Sequence, residues 1–103
     1  MQMTLRIQKS VEGELAVFAL TGRIRAEQVP ELLTLFRSES SPHRTILDLE
    51  QVRLVDRDAV LFLALCETLG ATLRNCSAYI REWINQERNA RQNRFEDPTK
   101  LEG

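Results

Sequence analysis

The chain has 103 residues, 43% hydrophobic and 28% charged, which fits one ordinary globular domain and leaves no room for two. Fourteen Lys and Arg stand against fifteen Asp and Glu, for a net charge of −1. That balance argues against a module that works through a basic face on nucleic acid, or a polybasic face on a membrane.

The first segment, around Leu5 and Ile7, alternates apolar and polar residues and predicts a strand with one wet face. Val11-Glu12-Gly13 supplies a turn. Leu15 to Leu20 is apolar at nearly every position and predicts a central strand covered on both sides. So short a link predicts an antiparallel hairpin. Thr21-Gly22 is read as the end of the second strand.

From Ala26 the period changes. Val29, Leu32, Leu33 and Phe36 fall on one helical stripe, with Pro30 in the first turn, where a missing N–H costs little. Ser38 to Pro42 is turn chemistry. Ile46 to Leu49 predicts a third strand, and Val52 to Val55 either extends it or forms a separate one. Ala59 to Leu69, rich in Leu and Ala and followed by Gly70, predicts a buried helix with a glycine stop. Thr72 to Asn75 predicts a short strand. Ser77 then has the character of an N-cap, with Tyr79, Ile80, Trp83 and Ile84 as the packing face of a last helix.

Beyond Ile84 the apolar stripe fades, and the sequence offers nothing to anchor a continuing helix; fraying is expected from Glu96. The predicted organisation is therefore a domain over residues 4–84 with a polar extension over 85–103, partly helical or frayed. The fold class is α/β: a small mixed sheet of about four strands, opening with a hairpin and packed with helices, in the order β-β-α-β-α-β-α.

The longest apolar run, Ala59 to Cys66, is eight residues, against the about 20 needed to span a bilayer. Met1 to Arg6 has no apolar signal core, so a cytoplasmic location and no membrane insertion are expected. Cys66 and Cys76 are expected as reduced thiols, Cys66 in the core.

Candidate chemistry is sparse. Asp48, Glu50, Asp56 and Asp58 gather in sequence around a strand end and the start of the most apolar helix. Asp58 could cap that helix and oppose its dipole. Alternatively Asp48, Asp56 and Asp58 could form a metal-dependent phosphoacceptor, which needs their oxygens to converge. His43, the single histidine, follows a Ser-Ser-Pro turn and reads as a solvated loop residue. No phosphate-cradling glycine loop and no nucleophile elbow occur, so neither an enzyme nor a cofactor is expected. Arg23 and Arg25 are either a solvated link or a contact for an acidic partner. Tyr79 and Trp83 are either core or a partner surface, and with the polar helix they leave room for a homodimer.

Two segments together carry a resemblance. Leu20-Thr21-Gly22-Arg23-Ile24-Arg25-Ala26-Glu27-Gln28-Val29-Pro30-Glu31-Leu32 resembles the L-x-G-x-[LI]-D-A-x-x-x-P-x-L opening of STAS domains, the fold of bacterial anti-sigma-factor antagonists. Ile46-Leu47-Asp48-Leu49, continuing through Val52, Leu54 and Val55 to Asp56-Arg57-Asp58-Ala59-Val60, resembles the family's second motif, which ends in D-S-S-G-L. Gly70-Ala71-Thr72-Leu73-Arg74 matches the glycine before its last strand.

The resemblance implies a non-catalytic binding module that regulates transcription by capturing a protein partner, an anti-sigma serine kinase. In such antagonists the second serine of D-S-S-G-L takes a phosphate, and the modified form releases the kinase. Here Arg57 and Asp58 stand in place of the two serines, Ala59 in place of the glycine, and Arg25 in place of the first motif's Asp. Asp58 occupies the phospho-acceptor position and offers no hydroxyl. The partner surface implied is Arg23, Arg25, Asp56, Arg57, Asp58, Ala59, Val60 and Leu61. Asp58 then reads as a fixed anion resembling the modified state, or as a simple cap paired with Arg57 or Arg25. A further reading is a structural STAS subunit of a larger signalling or ABC-type transport assembly.

Overall fold

In the computed structural model, which describes residues 5–38 and 41–102, with side chains as far as 90, the alternating segments assemble into one four-stranded mixed sheet. Strand β1 (Arg6–Glu12) pairs antiparallel with β2 (Leu15–Ile24) across a tight turn at Gly13. Helix α1 (Val29–Arg37), entered through a 3-10 turn at Ala26–Gln28, carries the chain over to β3 (Thr45–Val55). That strand lies parallel to β2. Helix α2 (Arg57–Thr68) makes the second crossover, to the short parallel strand β4 (Thr72–Arg74). Helix α3 (Ala78–Glu102) closes the chain. The sheet order is β1-β2-β3-β4, and the element order is the one expected from the sequence.

The core lies between the sheet and the helices. Phe18, Leu20 and Ile24 from β2, and Leu47, Leu49 and Val55 from β3, meet Leu32 and Phe36 of α1 and Ile80 and Ile84 of α3. Helix α2 contributes Ala59, Val60, Phe62, Leu63, Ala64 and Cys66, all buried, which is why its sequence is apolar nearly all round. Val17 and Ile46 are buried outside this cluster, on the opposite face of the sheet. A bidentate pair screens them: the Arg74 guanidinium, on one sheet edge, donates to Glu12, on the other, at 3.0 and 3.3 Å. Arg74 holds the Glu12 carboxyl below its ordinary range.

Several boundaries differ from the sequence reading. Strand β2 does not stop at Thr21-Gly22 but runs to Ile24. Gly22, at φ 106°, carries the backbone through a register shift that a side-chain-bearing residue would resist. Val52 to Val55 continue β3 without a break. The expected turn over Ser38 to Pro42 partly lies outside the described residues; Pro42–Arg44 form a 3-10 turn. Tyr79 is not core but 51% exposed, whereas Ile80 and Ile84 are buried and Trp83 packs half-buried against them.

Glu87 and Arg88, just after Ile84, are anchored, contrary to expectation, through polar groups. Arg88 donates to the Ala64 carbonyl at 3.1 Å, and Trp83 Nε1 and Arg57 Nε donate to Glu87 at 3.3 and 3.2 Å. Ser77 caps α3 as expected, accepting from the Ile80 N–H. Cys66 is fully buried, and burial pushes its thiol up to about 12. Gly70, at φ +118°, ends α2 with His43 lying against it, so close that a Cβ there would meet the imidazole at 2.5 Å.

The start of α2 is fixed by one side chain. Asp56, the residue before the helix, accepts from the Ala59 N–H at 3.0 Å and from the Ala26 N–H at 2.8 Å. Its own N–H donates to the Ile24 carbonyl at 3.3 Å. Replacing Asp56 with Ala should cost roughly 2 kcal/mol or more, since a helix cap and a bond between elements go together. Asp58→Ala should stay within about 0.5 kcal/mol, as exposed positions usually do. Equal urea midpoints for the two variants would refute this assignment.

A second anchor joins α2 to α3. Glu67 accepts two parallel bonds from Arg81 at 2.9 and 2.8 Å and a further contact from Arg88 at 3.1 Å. The bond from Arg81, opposed in part by burial, holds the Glu67 carboxyl below its ordinary range. That stabilisation is present above the unfolded carboxyl's pKa and is lost as pH falls through the lower folded value. Glu67→Gln should therefore cost about 1 kcal/mol at pH 7. The gap from wild type should narrow in acid, measured as urea midpoints across pH.

Candidate functional site

Strand β3 ends at Val55, and the chain turns through Asp56 directly into α2, so residues 56–58 sit where the sheet delivers a helix N-terminus. Alongside, β2 delivers Arg25 and Ala26 to the start of the α1 crossover. Asp56 ties the two exits together through Ala26 and Ala59. The two crossovers thus leave the sheet side by side, with a cleft between α1 and α2.

That cleft is open, about 500 Å³, and lined by Ala26, Val29, Pro30, Leu33, Leu61 and Leu65 with Asp58 at its end. Phe62 forms its floor and is buried. Leu65 is 43% exposed, an apolar side chain left in water. Asp58 is exposed in the first turn of α2, where free N–H groups and the dipole favour an anion.

The structure divides the residues singled out from the sequence. Asp56, not Asp58, is the cap. The two-residue difference arises because α2 begins at Arg57, whereas the apolar run that signals it begins at Ala59. Arg57 reaches Glu87 of α3, and Arg25 lies 3.9 Å from Glu27, so neither is the expected partner of Asp58. Ala59 and Val60 are fully buried; they hold α2 on the sheet and offer nothing to a partner. Leu61 is half-buried on the cleft wall. Arg23 projects from the other face of the sheet, since Ile24 next to it enters the helix-packed core. Leu65 and Leu33 belong to the cleft but were not singled out as surface; their i, i+4 relation to Leu61 and Val29 was the available signal.

The three carboxylates of the metal reading do not converge. Asp48 is the fourth residue of β3 and Asp56 follows its last; the β2 partners Ala19 and Ile24 are five residues apart, so at about 3.3 Å per residue the two positions stand more than about 16 Å apart along the sheet. Asp48 is engaged by the Glu50 N–H and by Asn75 Nδ2, both at 3.1 Å. Among the described residues, no three His, Cys, Asp or Glu side chains could hold a metal ion. Also among these residues, no helix is long and apolar enough to cross a membrane.

No family model matches the sequence, and no curated protein matches it. Solved structures do match the fold. The unphosphorylated form of the anti-sigma factor antagonist SpoIIAA superposes with a TM-score of 0.53 at 19% identity, covering 77% of this chain and 79% of that one. Mglu superposes with a TM-score of 0.52 at 18% identity over 65% of this chain, which spans only 18% of Mglu. An antisigma-factor antagonist STAS domain from Rhodobacter sphaeroides overlaps 74% of this chain and 92% of its own, at 15% identity and a TM-score of 0.48. The hairpin, the two parallel crossovers and the helix that starts at the end of β3 give this chain the fold of the anti-sigma factor antagonist SpoIIAA.

Proposed function

We propose that this chain is a non-catalytic regulatory module that captures a protein partner on the α1–α2 cleft, with Asp58 as the charged end of the docking surface. The observation that carries this reading is the placement of Asp58: exposed, not used as the cap, and continuous with an apolar cleft. The partner class is an anti-sigma kinase, because SpoIIAA, which shares the fold, is an anti-sigma factor antagonist. The partner surface is then Asp58, Leu61 and Leu65 with Ala26, Val29 and Pro30 across the cleft, while Asp56 and Arg57 set its shape.

Asp58 makes the module one that does not toggle at this position. A phosphate there would bring about −1.5 to −2 charges and three acceptor oxygens; the carboxylate brings −1 and two. The carboxylate can be neither added by a kinase nor removed by a phosphatase. Control of capture then lies with abundance or competition between partners.

Anti-sigma kinases of the host, purified and titrated calorimetrically with the full chain, supply the test. Binding is expected, and Asp58→Lys should weaken it about tenfold or more, as reversal of an interfacial charge does. Leu65→Asp should weaken it comparably by placing an unpaired charge in the cleft. Asp58→Ser, incubated with the cognate kinase and ATP, should acquire one phosphate by mass spectrometry. Affinity indifferent to Asp58→Lys and Leu65→Asp would overturn the surface. An Asp58→Ser variant left unmodified by a kinase that binds it would overturn the kinase assignment.

A further inference from the structure

The face of the sheet turned away from the helices carries a second surface, independent of the cleft. Strand register sets Arg6 of β1 opposite Thr21 of β2, and Arg23 of β2 opposite Leu54 of β3. Between Gly22↔Val52 and Arg23↔Leu54 the register slips by one. Arg53 is therefore the extra residue of a bulge, and Arg53 and Leu54 together oppose Arg23. Burial fixes the side on which they stand. Ile7, Ile24, Val52 and Val55 turn toward the helix-packed core, while Arg6, Arg53 and Leu54 are exposed. Diagonal neighbours on a sheet lie about 7–8 Å apart, within reach of one extended ligand.

These three guanidinium groups differ from Arg74, which is matched to Glu12 at the far end of the face. None of Arg6, Arg23 and Arg53 forms an ion pair among the described residues. Arg23 is half-buried, and its Nε is buried without a hydrogen-bond partner. A buried donor that lacks an acceptor is uncommon in folded proteins, and one on an always-charged group more so. Beside these cations Leu54 leaves 49% of its surface in water.

We infer that Arg6, Arg23 and Arg53 form a docking surface for an acidic segment of a partner protein, with an apolar side chain of that segment laid on Leu54. Carboxylates fit guanidinium groups through two parallel bonds, which the exposed Arg6 and Arg53 can donate to a segment arriving from outside. Net charge selects the occupant. Three local cations on a chain of net charge −1 attract a short acidic segment at contact distance. They give no long-range field to gather a nucleic acid or an anionic bilayer. The mixture of three arginines and one leucine matches a segment that combines acidic and apolar residues.

The test uses the full chain, labelled with nitrogen-15, and a short acetylated peptide of Glu and Asp with a central Leu. Saturable amide shifts are expected at Thr21, Arg23 and Leu54, with Asp58, Leu61 and Leu65 unmoved, which separates this surface from the cleft. The double variant Arg6→Glu/Arg53→Glu, altered only at exposed positions, should lose about tenfold or more in affinity. Leu54→Ala should lose a smaller factor. The same peptide with Lys in place of its acids should not bind. Unsaturable shifts, an affinity indifferent to the arginine changes, or retention on phosphatidylserine vesicles without peptide binding would each overturn the inference.

Discussion

One carboxylate holds the working end of this molecule in place. Asp56 accepts from the Ala59 and Ala26 N–H groups, and its own N–H donates to Ile24. Two chain segments that meet only in the fold are thereby fastened at one residue: the end of β2 with the entry to α1, and the start of α2. Each of those N–H groups would otherwise lack a partner at an element end. A parallel sheet must carry its crossovers away from the same end, and here the knot fixes their spacing. The cleft between α1 and α2 inherits its width from that spacing.

Much of this was legible in the residues. The change from period two to period 3.6 after Gly22, the Pro30 start and the Gly70 stop placed the elements in their observed order. What stayed hidden was decided by partners distant in sequence. Asp56 and Asp58 are equally good capping residues by type, and only the position of the first helical turn separates them. Gly22 reads locally as a terminator, yet β2 continues past it beside the bulged β3. Tyr79 and Trp83 share the helical spacing of Ile80 and Ile84, but Trp83 packs against the margin of the core while Tyr79 is left exposed. Glu87 and Arg88 look like solvated polar residues, and their anchoring role depends on Arg57 and on the Ala64 carbonyl, more than 20 positions away.

The two faces of the sheet follow different rules. On the helix side apolar area does the work, and the polar groups at its margin are matched, as with Glu67 between Arg81 and Arg88. On the open side polar side chains must cover the strands themselves. At one end they do so by pairing across the sheet, Arg74 with Glu12 over Val17 and Ile46, and Asn75 with Asp48. At the other end the bulge at Arg53 places two side chains against one. The three guanidinium groups that collect there form no ion pair among the described residues. The bulge therefore concentrates charge on the back of β3.

Residue 58 shows how the division of labour at a helix start frees a position. With Asp56 supplying the cap, the fold asks nothing specific of the next turn. An Asp there gains about 0.3–1 kcal/mol from the positive end of the helix. It gives back up to about 0.7 kcal/mol in helix propensity relative to alanine. The balance is close to zero, so stability neither requires the carboxylate nor opposes it. A charged side chain at such a position, exposed at the mouth of an apolar cleft, is set by what it meets from outside. That is the physical ground for treating Asp58 as part of a surface and Asp56 as part of the scaffold, although a single residue separates them and they carry the same group.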